Sequence, residues 1–174
     1  MDKPIAKTLT IVIPAYRMHS QLFNNMLKGI QEEDAQKRIA DRTNHFAWMA
    51  GNLVNCRYWL AEVLDIPEKD PNEDLFKNAK ALDSSLQYPS LDELKKQWHK
   101  ISPLLYQKLL SVEEAELSQA YPFGMNVPYV EENKLNMVGM GLDRESYLFG
   151  QLGLMRKALG YEGVRYDLDD HLSY

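Results

Sequence analysis

The sequence predicts an all-α fold, a four-helix bundle with long crossover connections. Four stretches carry apolar residues at helical spacing. Two of the segments joining them are long. The one β-leaning stretch, Leu9 to Ile13, has no partner strand in sight and is expected to be an extended arm. With 174 residues, no internal repeat and no low-complexity run, the chain is read as a single domain over 1–174. Residues 1–13 form an N-terminal arm and 161–174 a C-terminal tail.

Pro14 ends the arm and suits the first turn of a helix expected to reach Lys28, where Gly29 breaks it. Its core face is Tyr16, Leu22 or Phe23, Met26 or Leu27, and Ile30. A polar segment with one helical turn follows. Thr43 is the expected N-cap of the second helix, which runs to Leu64 with Phe46, Met49, Leu53, Cys56, Leu60 and Val63 as its stripe. Gly51 costs that helix about 1 kcal/mol against alanine, so something is expected to approach it closely. Asp65 to Pro89 is rich in Pro, Asn, Asp and Ser, with a helical turn near Leu75 to Lys80. A connection this long fits two helices that run parallel. Ser90 and Glu93 have capping-box spacing and open the third helix. Leu91, Leu94, Trp98, Ile101, Leu105 and Leu109 or Leu110 form its buried face, and Pro103 is expected to kink it. Residues Ser111 to Glu132 make a second crossover, with a helical turn in EEAELSQA and a stiff aromatic loop, YPFGMNVPYV. The longest helix, Asn133 to Gly160, has Val138, Leu142, Phe149, Leu152 and Leu159 inward. Arg156 and Lys157 suit its C-terminal dipole, and Gly160 stops it. The tail has no helical period and is expected to lie along the outside.

Apolar residues make up 45% and charged residues 26%, the balance of an ordinary globular domain. Twenty Lys plus Arg against 25 Asp plus Glu give a net charge of −5, which argues against a nucleic-acid or membrane-surface binder. The 10 tyrosines are scattered with no basic patch among them, so base stacking is not expected either. No apolar run approaches the ~20 residues of a membrane-spanning helix. The N-terminus shows no secretory pattern, and a single cysteine, Cys56, precludes an internal disulfide. A cytoplasmic location is the default expectation.

Two stretches resemble a known family. NHFAWMAGNLVNCRYWLA on the second helix is similar to the tryptophan and Gly-His-Leu helix of the DinB/YfiT-like superfamily. RESYLFGQLGLMRKALG on the fourth resembles that family's closing motif: His-x-x-x-His, then Gly-Gln, and after a short apolar run Arg and Leu-Gly. The order and spacing of the helices match over nearly the whole chain. The resemblance implies a DinB-like bundle in which three histidines, one on helix two and two on helix four, hold a divalent metal. It also implies thiol-dependent transferase or isomerase chemistry for some members. The matching positions here are Asn52, Arg144 and Leu148. Leucine cannot ligate, arginine stays protonated and repels a cation, and asparagine offers only a neutral carbonyl, a poor ligand for zinc or nickel. The expectation is therefore a degenerate, metal-free and non-catalytic member that binds a small ligand or a partner. The alternative is a thiol-dependent transferase or isomerase, or a hydrolase, of the same kind. No cofactor is expected; zinc or nickel would require a rebuilt ligand set of His45 with Asp143 or Glu145.

Arg144 either binds a small anionic ligand or pairs within the bundle, and Asn52 either meets that ligand or satisfies Arg144 or Tyr147. Leu148 fills the space of a metal. His45, Tyr147 and Gln151 are the expected neighbours of this position, with His45 partly exposed. His19 and His99 have no acidic partner at useful spacing, Arg57 is expected to turn away from Cys56, and Cys56 is expected to be a buried apolar group. The 111–132 crossover is either a lid or a plug made of Tyr121, Phe123 and Tyr129. A homodimer through exposed helix faces is expected.

Overall fold

The computed structural model describes residues 2–124, 127–172 and 174. Among them the chain is all-helical. In order it forms α1 (Val12–Leu27), α2 (Phe46–Val63), a one-turn α3 (Glu73–Phe76), α4 (Leu91–Ser111), a one-turn α5 (Glu114–Leu117) and α6 (Lys134–Ala158). Short 3-10 turns lie at Lys7–Thr10, Glu32–Asp34 and Lys77–Ala79. α2 packs on α4 and α6, and α1 packs on the same two helices.

The apolar interior forms two clusters. One joins Phe23 and Met26 of α1, Met49 and Leu53 of α2, Leu94 and Trp98 of α4, and Leu148 and Leu152 of α6. The other joins Ile13 and Tyr16, Leu60 and Val63, Leu105 and Leu109, and Met137 and Val138 of the same helices. Following each helix from cluster to cluster gives its direction. α2 and α4 both run from the first cluster to the second, so they are parallel, and the 65–89 crossover must span their length. That crossover also supplies core: Phe76 and Tyr88 are buried. A Cβ added at Gly51 would collide with the Phe76 ring, which accounts for a glycine inside α2. α4 and α6 run in opposite senses. The length of the 111–132 crossover instead serves an end cover, with Tyr121 and Phe123 packed partly buried on the second cluster while Tyr129 is 86% exposed. Two of the three expected aromatics therefore pack on the core; Met125 and Asn126 of this loop lie outside the described residues.

Most helix ends follow local chemistry. Ser90 Oγ accepts from Glu93 N at 3.2 Å, and Asn133 Oδ1 accepts from Asn136 N at 2.9 Å. α6 closes with Tyr161 N donating to Arg156 O and Gly160 N to Lys157 O, with Gly160 at φ +86°, the left-handed C-terminal closure expected of glycine. α4 runs unbroken through Pro103. The tail lies on the outer side of α1, where Asn25 Nδ2 donates to Asp167 O and Asp169 N to Gln21 Oε1.

Three expectations are corrected by the structure. The N-terminal arm is not extended: Lys7–Thr10 is a 3-10 turn, and α1 starts at Val12, ahead of Pro14. Proline is accommodated because the first-turn N–H groups have no intrahelical acceptor in any case. Burial of Ala6, Leu9 and Ile13 explains why the arm coils instead of extending. The cap of α2 is His45, not Thr43. His45 Nδ1 accepts from Trp48 N at 3.0 Å, while Thr43 Oγ1 accepts from Ile39 N in the preceding turn. His45 is 3% exposed, packed edge-on against Tyr88, and not partly exposed as expected.

Burial, reinforced by the nearby Arg38 charge, lowers the His45 pKa from 6.5 to about 4. Between those values the unfolded chain takes up a proton that the folded cap refuses, so stability falls as the pH falls through this window. Urea unfolding of the wild type is expected to lose about 2 kcal/mol more between pH 7 and pH 5 than His45→Asn, which keeps a capping acceptor but does not titrate. Equal losses in the two proteins would contradict the cap assignment.

Candidate functional site

Two of the three positions singled out by the helix-two and helix-four motifs, Asn52 and Arg144, meet. Arg144 Nε and Nη2 donate to Asn52 Oδ1 at 3.0 and 2.6 Å, joining α6 to α2. A guanidinium has donors only, so the Asn52 amide must turn its oxygen towards it. Asn52 is 1% exposed, and its Nδ2 is a buried donor with no acceptor among the described residues. Arg144 itself is exposed, and among the described residues no carboxylate forms a salt bridge with it. Leu148 is 1% exposed and belongs to the first apolar cluster.

The other expected neighbours are not brought to this point. His45 is committed to the start of α2. Tyr147 is 67% exposed, and Gln151 is half-buried. Among the described residues neither bonds to Asn52 or Arg144. Two surface clefts, of about 360 and 260 Å³, lie elsewhere, along α1 and the tail, and neither includes Asn52, Arg144 or Leu148.

The residues at the motif positions do not fit a divalent metal. Leu148 has no lone pair, Arg144 is a cation, and the one oxygen of Asn52 already faces that cation. The rebuilt set is not assembled either: His45 caps α2, Asp143 is exposed, and Glu145 is engaged by other groups. Among the described residues no group of three or more His, Cys, Asp or Glu is placed to hold a metal ion.

Sequence reasoning missed a second polar cluster. Arg57 on α2 is fully buried, and its Nε donates to Glu145 Oε1 on α6 at 3.0 Å. Its Nη1 donates to Ser20 Oγ on α1 at 2.8 Å. The guanidinium lies over the Trp98 ring of α4 at 3.6 Å and over Tyr16 at 4.1 Å, so all four long helices touch one cation. The other Glu145 oxygen, Oε2, is 2.9 Å from His19 Nδ1. His19 has no acidic partner at useful spacing along its own helix, as expected, but it finds one across the bundle. The partner lies 126 residues away on another helix, where spacing within one helix cannot reveal it. Burial alone would raise the Glu145 pKa, but the Arg57 charge and the His19 hydrogen bond outweigh it and hold the carboxyl below its ordinary range.

A local signal was present in the sequence. Arg57, Glu145 and His19 each sit on the apolar stripe of their helix, three or four residues from Leu53, Leu142 and Leu22 respectively. A charged group there must find a partner in the core. Cys56 is buried with its Sγ 3.4 Å from Gly141 O, and burial pushes the thiol's pKa well up, which suits an inert apolar role.

No model of a known protein family and no curated protein matches the sequence.

Removing either partner of the Arg57–Glu145 pair strands a buried charge. Arg57→Ala and Glu145→Ala are each expected to cost about 3–5 kcal/mol in urea unfolding, with the double variant costing far less than their sum. Additive losses would show that the two groups act independently.

Proposed function

We propose that the chain is a four-helix bundle of the DinB/YfiT-like kind whose metal position has become an anion-binding site. The ring of neighbours, in which α1 and α2 each pack on α4 and α6, supports the bundle. The parallel course of α2 and α4 supports the crossover topology. The meeting of Asn52 and Arg144 supports the resemblance, because positions 92 residues apart come together where the motifs require it.

One observation carries the functional part: Arg144 spends two N–H groups on a neutral amide and forms no salt bridge with any described carboxylate. A guanidinium held in this way suits a carboxylate or phosphate group. The unpartnered Asn52 Nδ2 adds a second donor beside it once the contact opens. The arrangement is a binding site without the family's metal chemistry. Leu148 occupies the space of the missing ligand and makes the interior apolar there, which is often neutral or stabilising compared with a buried ionic site.

The test is a titration of the protein with inorganic phosphate and with acetate, followed by amide NMR. Saturable shifts at the Asn52 side chain and around Arg144 are expected, weakened by about tenfold or more in Arg144→Ala, the loss of one charge-assisted bond. Shifts that do not saturate, or that persist unchanged in the variant, would remove the reading.

A further inference from the structure

Arg144 and Ser146 are two residues apart on α6, so they lie on nearly opposite sides of the helix. Arg144 faces α2, and Ser146 faces α1. We propose that Ser146, His19 and Glu145 form a nucleophile, a general base and a positioning carboxylate that transfer acyl groups from activated carboxylic esters to water. This site is independent of the anion site proposed at Arg144 and Asn52.

The geometry is that of a relay of three groups. Ser146 Oγ is 3.2 Å from His19 Nε2, and His19 Nδ1 is 2.9 Å from Glu145 Oε2. Both contacts are at or close to hydrogen-bond reach for a nucleophile and its base, and for a base and the group that orients it. The tautomer follows from the neighbours. Glu145 is held ionised by Arg57 and can only accept, so the proton of a neutral His19 ring must sit on Nδ1. That leaves the Nε2 lone pair facing the Ser146 hydroxyl. Ser146 Oγ also lies 3.1 Å from Leu142 O, its alternative acceptor within the helix.

Exposure divides the work sensibly. His19 is 3% exposed and Glu145 is fully buried, and Phe149 packs beside the imidazole with ring centroids 5.3 Å apart. Ser146 is exposed and open to a substrate. One turn further along α6, the exposed Gly150 has no side chain and nothing within 4 Å of an added Cβ, so that approach to Ser146 is open.

In the first step Ser146 Oγ bonds to the ester carbonyl carbon and its proton passes to His19 Nε2. The bond from that carbon to the alcohol oxygen breaks, and His19 returns the proton to the departing alcohol. Water then attacks the acyl-serine with His19 as base, releasing a carboxylic acid and restoring the hydroxyl. Ser146 lies mid-helix, where backbone N–H groups are already committed to the helix, so no backbone pair is free to stabilise the oxyanion. The substrate class is therefore esters with good leaving groups.

The test uses the full chain with a fluorophosphonate probe and with 4-nitrophenyl acetate. The probe bonds phosphorus to Oγ and expels fluoride, the proton going to His19. One adduct per chain, mapped to Ser146 by peptide mass spectrometry, is expected, with release of 4-nitrophenolate. Ser146→Ala, a change at an exposed position, should lose both. His19→Gln should slow labelling by about 100-fold or more. Nitrogen NMR of the His19 ring near neutral pH should show the proton on Nδ1, and Glu145→Gln should disturb that signature and slow labelling. No adduct on the wild type, an adduct elsewhere, unchanged labelling in a folded His19→Gln, or a proton on Nε2 would each overturn the proposal. Phosphate binding at Arg144 is measured separately, so the two sites fail or stand apart.

Discussion

Arg57 and Glu145 form an ion pair with both side chains fully buried and 3.0 Å between them. The rest of the packing answers to that pair. The guanidinium is held by Ser20 of α1 and by the faces of Trp98 and Tyr16. The carboxylate is shared with His19. Trp98 in turn stacks on Phe23 at 4.2 Å and donates to Ser20 O, so the aromatic layer and the ionic layer share members. A buried pair of this kind adds little net stability against well-packed apolar side chains. Its effect lies in exclusion: an arrangement of the helices that leaves the cation or the carboxylate alone in the core is far worse than this one. The two apolar clusters lie on either side of these residues along the helices, and neither contains Arg57 or Glu145.

Glu145 also separates the two surfaces of α6. Its side chain points into the core, Arg144 on one side reaches Asn52, and Ser146 on the other reaches His19. A helix that fixes one inward carboxylate therefore fixes the direction of both neighbours. In this way a core constraint sets what α6 presents to α2 and to α1.

The apolar stripes were legible in the sequence. Each of Phe46, Met49, Leu53, Cys56, Leu60 and Val63 on α2 is buried, as are Leu91, Leu94, Trp98, Ile101, Leu105 and Leu109 on α4. Helical periodicity reports burial directly, so these could be read from spacing alone. Ser90 and Gly160 were equally plain, because their chemistry is local. His45 was not, since imidazole is an uncommon cap and Thr43 two residues earlier has the more usual side chain. At the motif positions, the meeting of Asn52 with Arg144 was within reach, whereas the placement of Tyr147 and Gln151 was not. The link from His19 to Glu145 and on to Arg57 depends on which helices become neighbours, and single-chain spacing carries no such information. What the sequence did hold was the conflict itself, three polar groups placed on apolar stripes.

The central proposal is that Asn52, Arg144 and Leu148 stand at the positions of a metal site that has not been rebuilt from other residues. Elemental mass spectrometry of protein purified without a metal-affinity column tests it directly. The expected stoichiometry is near zero for nickel, zinc, iron and manganese. A stoichiometry near one metal per chain would contradict that reading and send the search for ligands back to His45, Asp143 and Glu145.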